Sequence, residues 1–188
     1  SGYKMLSLYN RIRKNPANLS NQDFEVLNTL YDASIRYVDD TIGMLLSSLG
    51  DKVGNTIVII TADHGESLGE HGFGHGMLYE EVIHIPLIIS GPSVPKGYVV
   101  KELTSSIDIA PTIIDVLELE RVQGFQGRTL LPPMQSARIE TRDVISVVPG
   151  LSTTHRLISC RSVDWKYIRS NKNDSREKVT RQELYNLG

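Results

Sequence analysis

With 188 residues, 40% hydrophobic and 22% charged, and a formal net charge of −2, the chain can hold one domain with its own core and a smaller second part. No basic excess points to nucleic acid, and no apolar run approaches the roughly eighteen residues of a membrane span. The single cysteine, Cys160, excludes an internal disulfide and leaves the compartment undecided, the cytoplasm being favoured because no signal-peptide pattern opens the chain. Internal repeats and low-complexity tracts are absent. Ser1-Gly2, with no initiator Met, reads as the start of a fragment of a longer protein.

Residues 1–19 show no sustained period, and Lys14-Asn15-Pro16 interrupts them. A helix start follows. Ser20 can cap the first amides, Asp23 can reach back as in a capping box, and Leu19 and Phe24 take the staple positions. Leu27, Tyr31, Ile35, Val38, Ile42, Leu45 and Leu49 then recur every three or four residues, and Gly50 is a natural stop. This helix is expected to cover one face of a sheet with Leu27, Tyr31, Val38, Ile42 and Leu45. Asp39-Asp40, mid-helix, reads as solvent-facing charge.

The run Ile57-Val58-Ile59-Ile60 is short, β-branched and bounded by turn residues, which suits a strand buried on both faces in a parallel sheet covered by helices. Asp63, His64 and Gly65 follow it, then a loop holding Gly69, Gly72, Gly74 and Gly76. Ligands of open α/β sheets bind beyond the carboxyl ends of the strands, so Asp63 and His64 stand where a site is expected. His64, His71 and His75 fall within twelve residues, beside Asp63, Glu66 and Glu70. The pattern points to a metal site; the competing reading is a polar surface loop rich in Gly and His.

Leu78–Glu81 suits a short helical turn, and Ile85–Ile89 a second buried strand next to or near the first, with Pro86 at its start. Gly91-Pro92 and Pro95-Lys96-Gly97 bracket a turn, and Tyr98–Leu103 reads as a strand. Ser105–Asp108 is a second helix start. If Asp108 is the cap, Pro111 falls in the first turn, where it costs no bond. Ile109, Ile113, Val116 and Leu117 give that helix a buried side.

After Gly127 and Pro132-Pro133 the texture becomes that of antiparallel hairpins: Val144–Val148, Arg156–Ser162 and Trp165–Arg169, the last two joined through Val163-Asp164, then Glu183–Leu187. The Lys/Arg-rich segment Arg161–Arg181 is balanced by Asp164, Asp174, Glu177 and Glu183 and reads as a solvated face. The expected division is an α/β part over 1–133 and a small antiparallel subdomain over 134–188.

The stretches YDASIRYVDDTIGMLLSSL (31–49), NTIVIITADHGESLGEHG (55–72), LYEEVIHIPLIISGP (78–92), SSIDIAPTIIDVLEL (105–119) and GRTLLPP (127–133) together resemble the C-terminal half of the sulfatase branch of the alkaline-phosphatase-like hydrolases. The tail WKYIRS (165–170) followed by ELYNL (183–187) is similar to that branch's C-terminal subdomain. The resemblance implies a mainly parallel sheet flanked by helices. It implies that Asp63 and His64 bind a divalent cation, Ca²⁺ first by family and Mn²⁺ or Zn²⁺ by the imidazole. His75 falls where many sulfatases have a Lys contacting the ester's anionic oxygens, so it is the candidate catalytic residue, as anion contact or proton donor, with metal ligation also open. His84 reads as a structural histidine packed under the loop, and His71 carries no role.

The family's formylglycine motif is missing. Cys160-Arg161-Ser162-Val163-Asp164 lacks both the Pro/Ala and the Arg, and Ser90-Gly91-Pro92-Ser93-Val94 lacks the Arg. The expected function is therefore the C-terminal fragment of a metal-dependent sulfatase, acting on a small-molecule or glycan sulfate ester with the nucleophile and remaining ligands upstream. Alone, the fragment should be inactive and bind metal weakly. The alternatives are a phosphatase, phosphodiesterase or phosphonate-ester hydrolase of the same superfamily, or a non-catalytic domain of that fold. No G-x-S-x-G elbow or HExxH motif supports a serine hydrolase or a zincin.

Overall fold

The capping box read at Ser20 is formed. In the computed structural model, which describes residues 11–12, 19–120, 123–131, 141–149, 155–174 and 177–188, helix α1 spans Asn21–Ser48. The Asp23 N–H donates to Ser20 Oγ at 3.3 Å, and the Ser20 N–H donates back to Asp23 Oδ2 at 2.9 Å. Arg11 adds a guanidinium contact to the same carboxylate at 2.9 Å. These donors, the Ser20 backbone N–H first, hold the Asp23 carboxyl below its usual range. The helix ends at Leu49, and Gly50 takes a φ of +52°, the left-handed stop expected of it.

Two compact units divide the chain: Ser1–Thr56 with Thr61–Pro86, and Ile57–Ile60 with Leu87–Gly188. In the first, α1 is seated at its N-terminal end. Phe24 stacks on Phe73 with centroids 6.0 Å apart, and a Cβ at Gly69 would lie 2.5 Å from Phe24 Cε1. The rest of the stripe departs from expectation: Tyr31, Val38 and Leu45 are exposed, Leu45 at 63%, and Leu27 and Ile42 are half-buried. Periodicity specifies a helix with one apolar side, whereas cover requires a partner element. Asp39 and Asp40 are exposed as read, with Asp40 paired to Arg36 at 3.1 Å.

Strand β1, Val58–Thr61, follows a 3₁₀ turn at Gly50–Asn55. Strands β2 (Ser67–Leu68) and β3 (Phe73–Gly74) and helix α2 (Glu80–Ile83) come next, then β4 (Leu87–Ser90). β1 and β4 are direct neighbours, as the two apolar runs indicated. Burial on both faces is not reached: Val58, Ile59 and Ile60 are half-buried and Ile88 is exposed. Among the described residues this sheet has two strands, so each is paired on one edge alone. Tyr98–Leu103 forms no strand; Tyr98 and Val99 are exposed and no ladder receives them.

In the second unit the 3₁₀ turn Ser106–Asp108 leads into α3, Ile109–Val116, with Pro111 in its first turn as expected. Asp108 is fully buried and organises this region. Its carboxylate accepts the N–H groups of Ser105 and Arg128, each at 2.9 Å, and contacts the Arg142 guanidinium. Thr112 Oγ donates to the Asp108 carbonyl at 2.6 Å and accepts the Leu130 N–H at 3.0 Å. A Cβ at Gly127 would meet the Ile107 carbonyl oxygen at 1.9 Å, so only glycine lets these segments touch. Thr112 and Leu130 are buried with Asp108; Leu117, expected inside, is exposed.

Strands β5 (Val144–Pro149), β6 (His155–Arg161), β7 (Trp165–Asp174) and β8 (Glu177–Asn186) form an antiparallel meander in that order. The β6–β7 turn closes with the Ser162 N–H on the Trp165 carbonyl at 2.8 Å. One face buries Ser159, Lys166 and Ile168. Lys166, 1% exposed, corrects the reading of this basic segment as wholly solvated, although Arg169 and Arg181 are exposed. The boundary expected at 133/134 lies outside the described residues, as do most of residues 1–19. Among the described residues no helix is long and apolar enough to cross a membrane.

Candidate metal and catalytic site

The chain leaves β1 at Thr61 and reaches Asp63, whose side chain is 88% exposed. The His64 N–H donates to Asp63 Oδ1 at 2.9 Å, folding the carboxylate back over the next peptide. His64 Nδ1 lies 2.9 Å from the Gly65 carbonyl oxygen. A ring nitrogen facing a carbonyl must be the N–H, so in the neutral imidazole Nε2 carries the lone pair. That Nε2 stands 3.6 Å from Asp63 Oδ2. A shared cation would subtend about 120° at bonds of roughly 2.1 Å, or about 100° at the roughly 2.4 Å of Ca²⁺. Both angles are ordinary for a metal, so the pair fits the cation expected of it.

Gly65 fixes the turn against α2: its N–H donates to the Val82 carbonyl at 2.7 Å. The hairpin of β2 and β3 pairs Ser67 with Gly74, which sets their outer neighbours, Glu66 and His75, side by side. Glu66 Oε2 accepts the His75 Nδ1–H at 3.0 Å. The His75 ring stacks on His64 with centroids 4.1 Å apart and 22° between planes. His64, Glu66 and His75 each offer one ligand atom within 4.8 Å of the others.

The remaining polar residues hold the loop. Ser67 is fully buried, and its hydroxyl lies 3.0 Å from the Gly72 carbonyl and 3.2 Å from Glu81 Oε1. His71 Nδ1 meets Glu81 Oε1 at 2.8 Å while its ring stacks on Tyr79 at 3.8 Å. Glu70 accepts the Leu68 N–H at 2.8 Å; its own N–H is the largest influence lowering its carboxyl, followed by that of Leu68. His84 corrects an expectation. It is exposed at the end of α2, held through its backbone N–H on the Glu80 carbonyl at 2.9 Å, and is not packed under the loop.

The structure thus brings His64, His75 and Asp63 into one place and leaves His71 and His84 out of it. Glu66 is the residue whose part the sequence reading missed. Its signal was the short hairpin between Ser67 and Gly74, which a two-residue strand hardly announces.

A family profile described as Sulfatase matches residues 9–119, more than half of the chain. The chain belongs to the sulfatase family. A second profile, N-sulphoglucosamine sulphohydrolase, C-terminal, matches residues 69–186. Among curated relatives, the chain is 27% identical over 169 residues to Arylsulfatase K of Danio rerio, covering 85% of this chain and 32% of that protein. It is 30% identical over 143 residues to the Choline-sulfatase of Rhizobium meliloti, covering 73% and 28%. The chain spans about a third of the length of such relatives.

Two solved structures share the fold of this sulfatase-family chain. A phosphonate monoester hydrolase from Silicibacter pomeroyi superposes with a TM-score of 0.76 at 25% identity, over 92% of this chain and 37% of that one. A Bacteroides thetaiotaomicron protein assigned as a sulfatase superposes with a TM-score of 0.79 at 22% identity, over 94% and 39%. The fold class is accordingly the α/β, alkaline-phosphatase-like one, with its small antiparallel C-terminal sheet.

Proposed function

We propose that this chain is the C-terminal part of a metal-dependent sulfatase that hydrolyses sulfate esters, with 1–133 its α/β part and 134–188 its antiparallel subdomain. The observation that carries this reading is the chelating pair, Asp63 Oδ2 and His64 Nε2 at 3.6 Å, directly after strand β1 in a sulfatase-family chain. Asp63 and His64 would hold the divalent cation, Ca²⁺ before Mn²⁺ or Zn²⁺. Bound there, such a cation would supply Lewis-acid polarisation of the ester oxygens.

The chain's own groups have defined tasks. Asp63 supplies the ligand charge. Gly65, through its carbonyl, fixes the His64 tautomer that leaves Nε2 available. Glu66 holds the His75 ring through Nδ1–H, so that the doubly protonated ring would give its Nε2 proton to the leaving oxygen and keep the one on Nδ1. The nucleophile comes from the part of the protein upstream of this chain. Cys160 is not a substitute: burial first, then Asp143, pushes its thiol up, away from the reactive thiolate.

A second reading, a phosphoryl or phosphonate-ester hydrolase, is favoured by the likeness to a phosphonate monoester hydrolase. The intact protein, assayed with matched aryl sulfate, phosphate monoester and phosphonate monoester, separates the two. Faster turnover of the sulfate supports the first, and turnover of the phosphonate alone supports the second.

A further inference from the structure

We propose that His64, Glu66 and His75 form a second cation site, suited to a borderline transition ion of the Zn²⁺ type and distinct from the Asp63–His64 pair. It goes beyond the sulfatase reading and rests on residues which that reading uses: the two ligand sets share His64, and His75 with Glu66 is the proton donor proposed there.

Two imidazoles and one carboxylate are a poor match for Ca²⁺, which takes six to eight oxygens, and a good one for Zn²⁺, which is held by His₂Glu with a fourth position open. Geometry agrees. The three ligand atoms lie within 4.8 Å of one another. Zn²⁺ with bonds of roughly 2.1 Å needs its ligands about 3.4 Å apart, so the trio must close by about 1.4 Å at most, a movement within reach of side-chain torsions. The backbone already places the residues. Glu66 and His75 flank the paired residues of the β2–β3 hairpin, and Glu66 touches His75 before any ion arrives. Side-chain exposure of 41% at His64 and 58% at His75 leaves an entry path from solvent.

Asp63 belongs to the other set. Its Oδ1 is engaged by the His64 N–H and its Oδ2 faces His64 Nε2. An ion held by the trio therefore draws His64 away from Asp63 and occupies His75. Two consequences follow: the chain binds Zn²⁺ better than the two-ligand count from the sequence implies, and an excess of Zn²⁺ opposes the Asp63 site instead of filling it.

The test titrates the 188-residue chain, stripped by chelator, with Co²⁺ followed by its visible absorption, then displaces the Co²⁺ with Zn²⁺; Ca²⁺ is the control. One equivalent should give the intense band of a four-coordinate ion, lost on adding Zn²⁺ and insensitive to Ca²⁺. Losing a direct ligand should exceed the roughly 10–100-fold cost of losing an outer partner, so Glu66→Gln and His75→Ala should each weaken Zn²⁺ by at least about tenfold. Asp63→Asn, outside the ligand trio, should weaken it less than either of those variants. Far-ultraviolet circular dichroism accompanies every variant, and Glu66→Asp and His75→Gln replace any that lose the parent spectrum. Absence of the cobalt band, or a band unchanged in the Glu66 and His75 variants, would overturn the proposal. Binding lost in Asp63→Asn and kept in Glu66→Gln would overturn it too, while leaving the Asp63–His64 reading intact.

Discussion

Gly65 donates its N–H to the Val82 carbonyl at 2.7 Å, and a Cβ at Gly65 would lie 2.2 Å from the Glu81 carbonyl oxygen. The turn that carries His64 and the short helix α2 are thus in backbone contact, with no room for a side chain between them. Gly65→Ala forces the two apart. Overpacking of this kind costs about 1–3 kcal/mol, which urea unfolding of wild type and variant would measure. Equal midpoints and slopes would contradict the contact.

The cap of α1 has a pH signature. Asp23 is held below the usual carboxylate range, first by the Ser20 backbone N–H, then by the Ser20 hydroxyl, with Arg11 adding to both. A depressed folded value stabilises the fold above the ordinary carboxylate pKa, and that stability is lost as pH falls through the folded value. Thermal midpoints should therefore fall on acidification below about pH 4, and Asp23→Asn should flatten that limb. Parallel acid limbs would contradict it. Ser20→Ala should cost about 0.5–2 kcal/mol at neutral pH.

Asp108 is a structural charge. Fully buried, it receives Ser105, Arg128 and Arg142, and Asp108→Ala leaves the guanidinium of Arg142 without that partner. Removing one member of a buried pair costs about 3–5 kcal/mol. Denaturant unfolding should show a loss of that size. A cost below about 1 kcal/mol, the range of an exposed ion pair, would show that Asp108 is not the tie described.

In the intact protein, His75→Ala should lower turnover by about 10²–10⁴-fold, the usual contribution of a positioned general acid. The loss should grow as the leaving group worsens, since poor leaving groups need the proton. A uniform loss across a series of aryl sulfates would reduce His75 to an anion contact. His84→Gln, at an exposed position, should stay within about 0.5 kcal/mol of the parent and leave the rate unchanged.

What was legible in the sequence was local chemistry. Ser20 and Asp23 announce a cap because three residues bring a side chain back to its own helix end, and Gly50 announces a stop because its φ is free. The antiparallel hairpins at Arg156–Arg169 were readable from alternation and a tight turn. Asp63, His64 and His75 were readable as site candidates, and the fold brings them together. Less legible was anything set by a distant partner. The stripe Tyr31–Leu45 shows a face without showing what covers it, and Lys166 looks solvated until the sheet register turns it inward. Glu66 escaped because its neighbour His75 is nine residues away across a hairpin of two-residue strands. The position of His84 before the Pro86 strand says nothing about the direction of its side chain, which the structure leaves exposed.

The central claim, that Asp63 and His64 hold the cation on which ester hydrolysis depends, is tested most directly by Asp63→Asn in the intact protein. The substitution keeps the shape of the side chain and removes the ligand charge. Initial rates on an aryl sulfate, with the divalent cation at saturating and at chelated levels, should fall to near background in both conditions for the variant, and in the chelated condition alone for the parent. A variant that retains the parent's full, cation-dependent rate would contradict the account.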